Sequence, residues 1–207
     1  MAANMALKRA RKAQRRKQVV SEKRRAESID GSLTGRILLA ARAPIRHCLI
    51  TEQIFDTGMG SLVLVRGESS HHLSMGMFLL DVFCLGIKDA VFRPIDTELL
   101  DAYLEGSEAS GMPLTDIDPG EARKLLRDLA TWSQSIGFSP HRDFAHVAER
   151  LFGDVSAQAS DAVFRFGQDG KPVYIPGPGE TASCVARRVH QLRERLGDDG
   201  FNFAAQL

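Results

Sequence analysis

The chain of 207 residues lacks the features that mark several large classes of protein. No apolar stretch approaches the ~20 residues of a membrane-spanning helix, so an integral membrane protein is not expected. The three cysteines, Cys48, Cys84 and Cys184, are odd in number and widely spaced, and no CxxC motif occurs. This pattern argues against a secreted disulfide framework and against a thiolate zinc site, so no such metal site is predicted.

Sequence motifs of well-known enzymes are also absent. There is no GxSxG, GxGxxG or HExxH motif and no protein-kinase signature. Residues 176–179 are rich in glycine but lack the Lys-Ser/Thr of a P-loop, so a plain turn is the simpler interpretation. The first residues contain no apolar segment of a secretory signal. We therefore expect no cofactor and a cytoplasmic protein; a mitochondrial presequence is the alternative, because residues 1–21 are basic and contain no acid.

Charge is distributed very unevenly along the chain, although the formal total is only +1. Residues 1–27 carry ten basic and two acidic side chains, a net charge of +8, whereas residues 28–207 have a net charge of −7. The ten basic residues are Lys8, Arg9, Arg11, Lys12, Arg15, Arg16, Lys17, Lys23, Arg24 and Arg25. A strongly basic segment on a mildly acidic domain predicts contact with a polyanion.

Residues 1–27, here called the basic arm, are expected to bind nucleic acid; RNA is expected ahead of DNA, with the ribosome as one target. Ala, Gln, Lys and Arg are good helix formers, but like-charge repulsion opposes an isolated helix. The arm is therefore expected to be disordered or conditionally helical, folding when phosphates neutralise it. Because it contains no aromatic residue, it offers phosphate contacts and no base stacking.

Other interpretations of the basic arm stay open. It could be a solvated tail that aids solubility, or it could dock on the acidic domain. Its two basic clusters, residues 8–17 and 22–25, also suit a nuclear import signal. Contact with a membrane is not expected, because no bulky apolar face accompanies the charges.

Hydrophobic periodicity predicts an α+β protein with a single compact domain over residues 36–207, joined to the arm by a linker over residues 28–35. Two β-hairpins are expected. Residues 61–66 and 73–85 would form the first, and residues 163–166 and 172–175, around an Asp-Gly turn, would form the second.

About four helices are predicted in the same domain. Their start signals are Asp96, Asp118 followed by proline, Ser139 followed by proline, and the region of Glu180. Because strands and helices occur in blocks, the α+β class is favoured over a regular α/β alternation.

Asp81 is the most informative catalytic candidate, because it lies inside the apolar run 73–85, where an unpaired carboxylate is costly. One interpretation pairs it with Asp89 for acid–base chemistry or a divalent cation, with Lys88 and Asp89 placed just past the end of the strand. The other is structural: Asp81 would pair with Lys88 or accept hydrogen bonds from nearby backbone groups.

Cys84 and His141 complete the set of candidate catalytic residues. A nucleophilic Cys84 needs a base, which His141 could supply from the first turn of a predicted helix. That position would also suit contact with an anion. A buried structural thiol is the simpler interpretation of Cys84, and on a regular strand Cys84 and Asp81 would face opposite sides.

Two strings, FLLDVFCLGIKDA at residues 78–90 and FGQDGKPVYIPGP at residues 166–178, together carry a family resemblance. With the basic arm and GFSPHRDF at residues 137–144, they resemble a family of bacterial proteins of uncharacterised activity, over most of residues 58–203. The resemblance implies one bacterial cytoplasmic domain and no particular mechanism. It marks Asp81, Cys84, Lys88, Asp89 and His141 as positions to test.

The sequence therefore predicts a cytoplasmic RNA-binding protein, with ribosome association as one form of that function. Two alternatives stay open. One is a hydrolase or nuclease with a carboxylate-based site around Asp81 and Asp89. The other is an antitoxin-like or adaptor module that binds another protein.

Overall fold

The computed structural model describes residues 32–70 and 72–204, so the basic arm lies outside the described residues. The chain divides into two compact units between Leu39 and Ala40. The described part of the first unit is residues 32–39, which contain all but the last residue of helix α1 (Leu33–Ala40). The Gly35 N–H donates to the Ser32 hydroxyl at 3.0 Å, a side-chain N-cap. Because of this cap, the helix begins inside the segment that was expected to be a linker.

The second unit contains a five-stranded antiparallel sheet, as expected for an α+β protein. The strand order is β4-β3-β2-β1-β5. The strands are β1 (Ile45–Thr51), β2 (Met59–Ser69), β3 (His72–Asp81), β4 (Gly86–Ile95) and β5 (Leu114–Asp116). A short helix, α2 (Ile54–Thr57), connects β1 to β2. Strand β2 is central, and its residues 62–65 are fully buried, which explains their unbroken apolar sequence.

The first predicted hairpin is confirmed, because β2 and β3 pair over their whole length. Its second strand is shorter than predicted: β3 ends at Asp81, and the chain turns back through residues 82–85. Gly86 has a φ of 75°, a left-handed conformation that suits glycine at the end of this turn. The apolar run therefore covers a strand and a turn, and β4 was missed. Lys88 and Asp89 lie on β4, not beyond the strands.

Five helices follow from α2 onward, so six are described in all, somewhat more than the four expected. Beyond α1 and α2 they are α3 (Thr97–Ala109), α4 (Pro119–Ser135), α5 (Phe144–Leu151) and α6 (Ala182–Leu196). The predicted N-caps are confirmed: Asp96 accepts from the Leu99 N–H, and Asp118 accepts from the N–H groups of Gly120 and Glu121.

The predicted helix start at Ser139 was wrong, because α5 begins at Phe144. His141 precedes that helix, and its N–H donates to the Ile87 carbonyl on β4 at 2.8 Å. His141 is thus joined to β4 three residues before the helix begins. The expectation of an anion contact at a helix N-terminus therefore loses its structural basis.

The second hairpin is present only as its turn. Asp169 and Gly170 both have positive φ, as a type I′ turn requires, and Gln168 and Lys171 form an isolated bridge around them. Residues 163–166 do not pair with the following segment. Instead, β6 (Val173–Tyr174) pairs in parallel with β7 (Asn202–Phe203), because the C-terminal segment returns to this position.

Two hydrophobic clusters hold the helices. Leu100 of α3 packs with buried residues of β1–β4, including Val63 and Met75. Cys84 and Leu85, in the β3–β4 turn, pack with the C-terminal end of α4 and with Leu192 of α6. Within the described residues, no helix is long and apolar enough to span a membrane.

Candidate functional site

Asp81 organises the turn between β3 and β4. Its Oδ1 accepts hydrogen bonds from the N–H groups of Phe83 at 3.1 Å and Cys84 at 2.8 Å. The side chain is buried, and burial raises its pKa, opposed by these backbone bonds and by the positive charge of Lys88. No ion pair between Asp81 and Lys88 forms in the part of the chain described. The carboxylate therefore accepts hydrogen bonds from nearby backbone groups, as the structural interpretation of Asp81 predicted, and does not pair with Lys88.

Cys84 is fully buried among apolar side chains, including those of Phe138, Leu192 and Phe201. Burial raises the pKa of its thiol, and the negative charge of Asp81 raises it further. A thiol of raised pKa has little thiolate at neutral pH, so this environment opposes nucleophilic chemistry. The Asp81 carboxylate and the Cys84 N–H meet within the turn, because the strand ends at Asp81.

Asp89 and His141 are the two catalytic candidates that tertiary structure brings together. The His141 Nδ1 lies 3.7 Å from Asp89 Oδ1 and 3.9 Å from Asp143 Oδ2. The side chains of His141 and Asp89 are 31% and 46% exposed, so both reach solvent. Asp89 Oδ1 also accepts the Ala90 N–H at 2.8 Å, which orients the carboxylate.

Lys88 occupies a β-bulge beside this pair. The register between β3 and β4 shifts there: Leu79 lies opposite Asp89 and Leu80 lies opposite Ile87, leaving Lys88 as the extra residue. Lys88 is only partly buried and makes no ion pair with a described residue. Among the described residues, no group of three or more His, Cys, Asp or Glu side chains could hold a metal ion.

A polar cluster that the sequence did not reveal lies around Glu180. Its carboxylate accepts hydrogen bonds from the Tyr174 hydroxyl and the Gly177 N–H and pairs with Arg188. Burial, and then the bond to Glu180, raise the pKa of Tyr174 to about 12. Burial would raise the pKa of Glu180, but its three partners outweigh that effect and lower it. The cluster ties the glycine-rich loop to α6, so Glu180 has a structural role in this region.

Arg66 is a second buried polar residue that sequence patterns did not single out. It lies on β2 and is 7% exposed. Its guanidinium donates to the Ala43 carbonyl at 2.7 Å and to the Phe152 carbonyl at 2.8 Å. Burial lowers its pKa, while the charge of Asp154 opposes this change. Arg66 therefore joins the segment before β1 to the end of α5. No local sequence motif predicts contacts between residues so far apart in the chain.

Helix α6 presents a basic surface to solvent. Its exposed basic residues are Arg187, His190, Arg193 and Arg195. Arg193 pairs with Asp198, and His190 lies 3.4 Å from Glu194. Arg187 and Arg195 have no carboxylate partner among the described residues, so their charges are available to a polyanion.

A groove of about 600 Å³ runs beside the N-terminal half of α3. Glu98, Asp101 and Glu105 line it, together with Ser70 at the end of the β2–β3 hairpin. None of the five predicted catalytic residues lines it. The groove and the Asp89–His141 pair are therefore separate features of the second unit.

Comparison with protein families, with curated proteins and with solved structures finds no match to this chain. The resemblance stated from the two sequence strings accordingly stays a prediction.

Proposed function

We propose that the protein binds RNA in the cytoplasm and that its basic arm holds the phosphate backbone. The observation that carries this proposal is the charge of +8 in residues 1–27 on a chain whose remainder carries −7. Binding of such a segment to RNA releases condensed counterions, which supplies affinity without base recognition. Arg187 and Arg195 on α6, which have no carboxylate partner among the described residues, add cations that could extend the phosphate contact.

The environments of two catalytic candidates also favour binding over catalysis. The Asp81 carboxylate accepts backbone hydrogen bonds in the β3–β4 turn, and the Cys84 thiol is buried. Neither side chain is free to act on a substrate. The basic arm is therefore the feature with the clearest functional meaning, and the ribosome is one RNA partner that it suits.

The salt dependence of RNA binding tests this proposal. If about six arm cations contact phosphates, the slope of log K against log salt should be roughly −5. The measurement is fluorescence anisotropy of a labelled RNA with the full chain between low and physiological salt. A variant with six arm residues, Arg9, Arg11, Lys12, Arg15, Arg16 and Lys17, changed to Gln should lose most of the slope.

The control changes one exposed cation outside the arm. Arg142 is 88% exposed, and Arg142→Gln should leave the slope unchanged. A slope near zero for the natural chain would refute arm-mediated RNA binding. If the slope is steep, crosslinking and sequencing of RNA that co-purifies with the full chain identifies the target class, with ribosomal RNA as the outcome that supports ribosome association.

A second proposed function is a hydrolase or nuclease, and the separation of 3.7 Å between His141 and Asp89 favours it. The Asp89 carboxylate lies near the imidazole without a direct hydrogen bond, and His141 Nδ1 accepts the Asp143 N–H at 3.4 Å. A partly exposed histidine beside a carboxylate is a candidate general base. In this version of the hypothesis the pair is Asp89 and His141, and Asp81 is structural.

Catalysis is tested by incubating the full chain with RNA and following cleavage. His141→Gln and Asp89→Asn should each abolish cleavage and leave the melting temperature nearly unchanged, because both side chains reach solvent. Arg142→Gln, next to His141 in sequence, is the control that should retain activity. No cleavage by the natural chain, or cleavage that survives both variants, would exclude this site.

An adaptor function makes a different prediction for protein partners. Partners captured by the full chain would be the same when the arm cations are changed to Gln. If that variant captures none of these partners, the partners bind through the basic arm and not through a separate adaptor surface.

A further inference from the structure

Residues 161–166 belong to no helix or strand and pair with no strand of the described chain. Burial alternates along it: Asp161, Val163 and Arg165 are exposed, whereas Ala162, Phe164 and Phe166 face inward. This alternation with a period of two is that of a β-strand with one face on the protein. Ser160, just before it, has extended backbone angles, with φ −111° and ψ 130°.

The inward face of this segment is anchored by aromatic contacts. The ring centroids of Phe164 and Phe55 lie 6.1 Å apart, and those of Phe166 and Trp132 lie 5.4 Å apart. Lys124 Nζ lies 5.4 Å from the centroid of Phe164. The next residue, Gly167, donates its N–H to the Val82 carbonyl at 2.9 Å. The segment is thus held in place by the aromatic contacts of its inward side chains and by the Gly167 hydrogen bond at its C-terminal end.

The backbone of the segment is nevertheless unpaired. Within the described residues, no N–H or C=O group from Val163 to Phe166 makes a hydrogen bond. Strand edges of this kind pair readily with another strand, and stable monomers usually shield them. Val163, at 85% exposure, is the most exposed large apolar side chain in the described residues.

The sequence of the exposed edge is complementary to itself. In an antiparallel pair centred on Val163, Val163 faces Val163 of a second copy. Asp161 of each copy then faces Arg165 of the other, because both lie two residues from the centre. Neither Asp161 nor Arg165 has an ion-pair partner among the described residues. Apolar and opposite-charge pairs facing each other across two strands stabilise the pairing.

We propose that the protein forms a two-fold symmetric dimer in which residues 161–165 of two copies pair as antiparallel strands through Val163. The backbone groups of residues 161, 163 and 165 lie on one edge of an extended chain, so they would supply the hydrogen bonds between the copies. An interface of this type is closed by its symmetry and gives a dimer, not a fibre. Pairing of the two copies does not require RNA.

Sedimentation equilibrium of the nuclease-treated full chain tests this dimer. The natural chain should show a concentration-dependent monomer–dimer equilibrium. Asp161→Arg and Arg165→Asp should each weaken dimerisation about tenfold, since each places like charges opposite each other at two symmetry-related positions. All three side chains involved are exposed, so circular dichroism should show folding unchanged.

Two charge combinations provide matched controls. The double variant Asp161→Arg/Arg165→Asp restores opposite charges at both positions and should recover the natural dissociation constant. The two single variants, mixed in equal amounts, should associate with each other more tightly than either does with itself. Val163→Pro removes the central N–H donor and should abolish the dimer while the fold persists.

Two outcomes would overturn the proposal. One is a chain that stays monomeric at every concentration reached, which would leave the edge for a different partner strand. The other is a dimer whose dissociation constant is the same in all the charge variants, which would place the interface elsewhere.

Discussion

At the scale of single residues, Asp81 shows how a chemically conspicuous side chain acquires a structural role. Its position in an apolar run suggests a catalytic carboxylate. In the structure, however, its Oδ1 accepts hydrogen bonds from two backbone N–H groups of the following turn. Because it makes no ion pair in the described part of the chain, the large cost of breaking a buried pair does not apply. The stability of the turn depends instead on whether those two buried N–H donors keep a hydrogen-bond acceptor.

Substitution of Asp81 tests this role. Asp81→Asn keeps an oxygen acceptor and should cost less than about 1 kcal/mol, whereas Asp81→Ala orphans two N–H groups and should cost roughly 2–4 kcal/mol. Urea unfolding of both variants measures the difference. Equal losses in Asn and Ala variants would show that the charge, and not the acceptor, is what stabilises the turn.

The pH dependence of Asp81→Asn follows from the raised pKa of Asp81. In the folded chain this carboxyl keeps its proton to a higher pH than it does when unfolded, so its ionisation opposes folding. The natural chain should therefore lose stability, relative to Asp81→Asn, as pH rises above about 4, the usual carboxyl pKa. Thermal melts across acidic and neutral pH measure this trend, and Asp89→Asn, at a half-exposed site, is the matched control.

At the scale of elements, the turn between β3 and β4 packs closely against helix α4. Gly86 has a φ of 75°, and a Cβ added there would lie 2.4 Å from the Ser133 Oγ on α4. The sheet and α4 thus approach each other at a glycine.

Gly86→Ala tests this close packing against a matched control. Gly111 has the same φ of 75°, but a Cβ there would meet nothing within 4 Å. Gly111→Ala should cost about 1 kcal/mol from backbone strain alone, whereas Gly86→Ala adds the collision with Ser133 and should cost roughly 2–4 kcal/mol. Chemical denaturation measures both. If the two variants lose the same stability, the contact with α4 is not tight.

At the scale of the whole molecule, charge and symmetry connect the two proposals. A dimer through Val163 would carry two basic arms, and two arms on one RNA would bind with an effective concentration that a monomer lacks. The dimer variants and the arm variants change different residues, so their effects on RNA affinity can be separated. A weakened dimer with an unchanged salt slope would show that each arm binds independently.

Local features of the sequence predicted much of the fold. Asp96 and Asp118 were identified as helix caps, and the Asp169–Gly170 turn was identified from its dipeptide, because both depend on neighbouring residues only. The β2–β3 hairpin followed from apolar patterning. In contrast, β4 was hidden, since its burial does not alternate regularly and its sequence includes charged residues and a proline. Helices α1 and α2 are too short for a clear periodic signal.

The sequence by itself determined the α+β class, the helix caps and the separation of charge between arm and domain, because propensity and charge are properties of nearby residues. Only tertiary structure decided which candidates meet. It brought Asp89 to His141, buried Cys84 and Arg66, and paired β6 with β7 in place of residues 163–166. Those outcomes depend on contacts between residues far apart in the chain, and no local pattern encodes them.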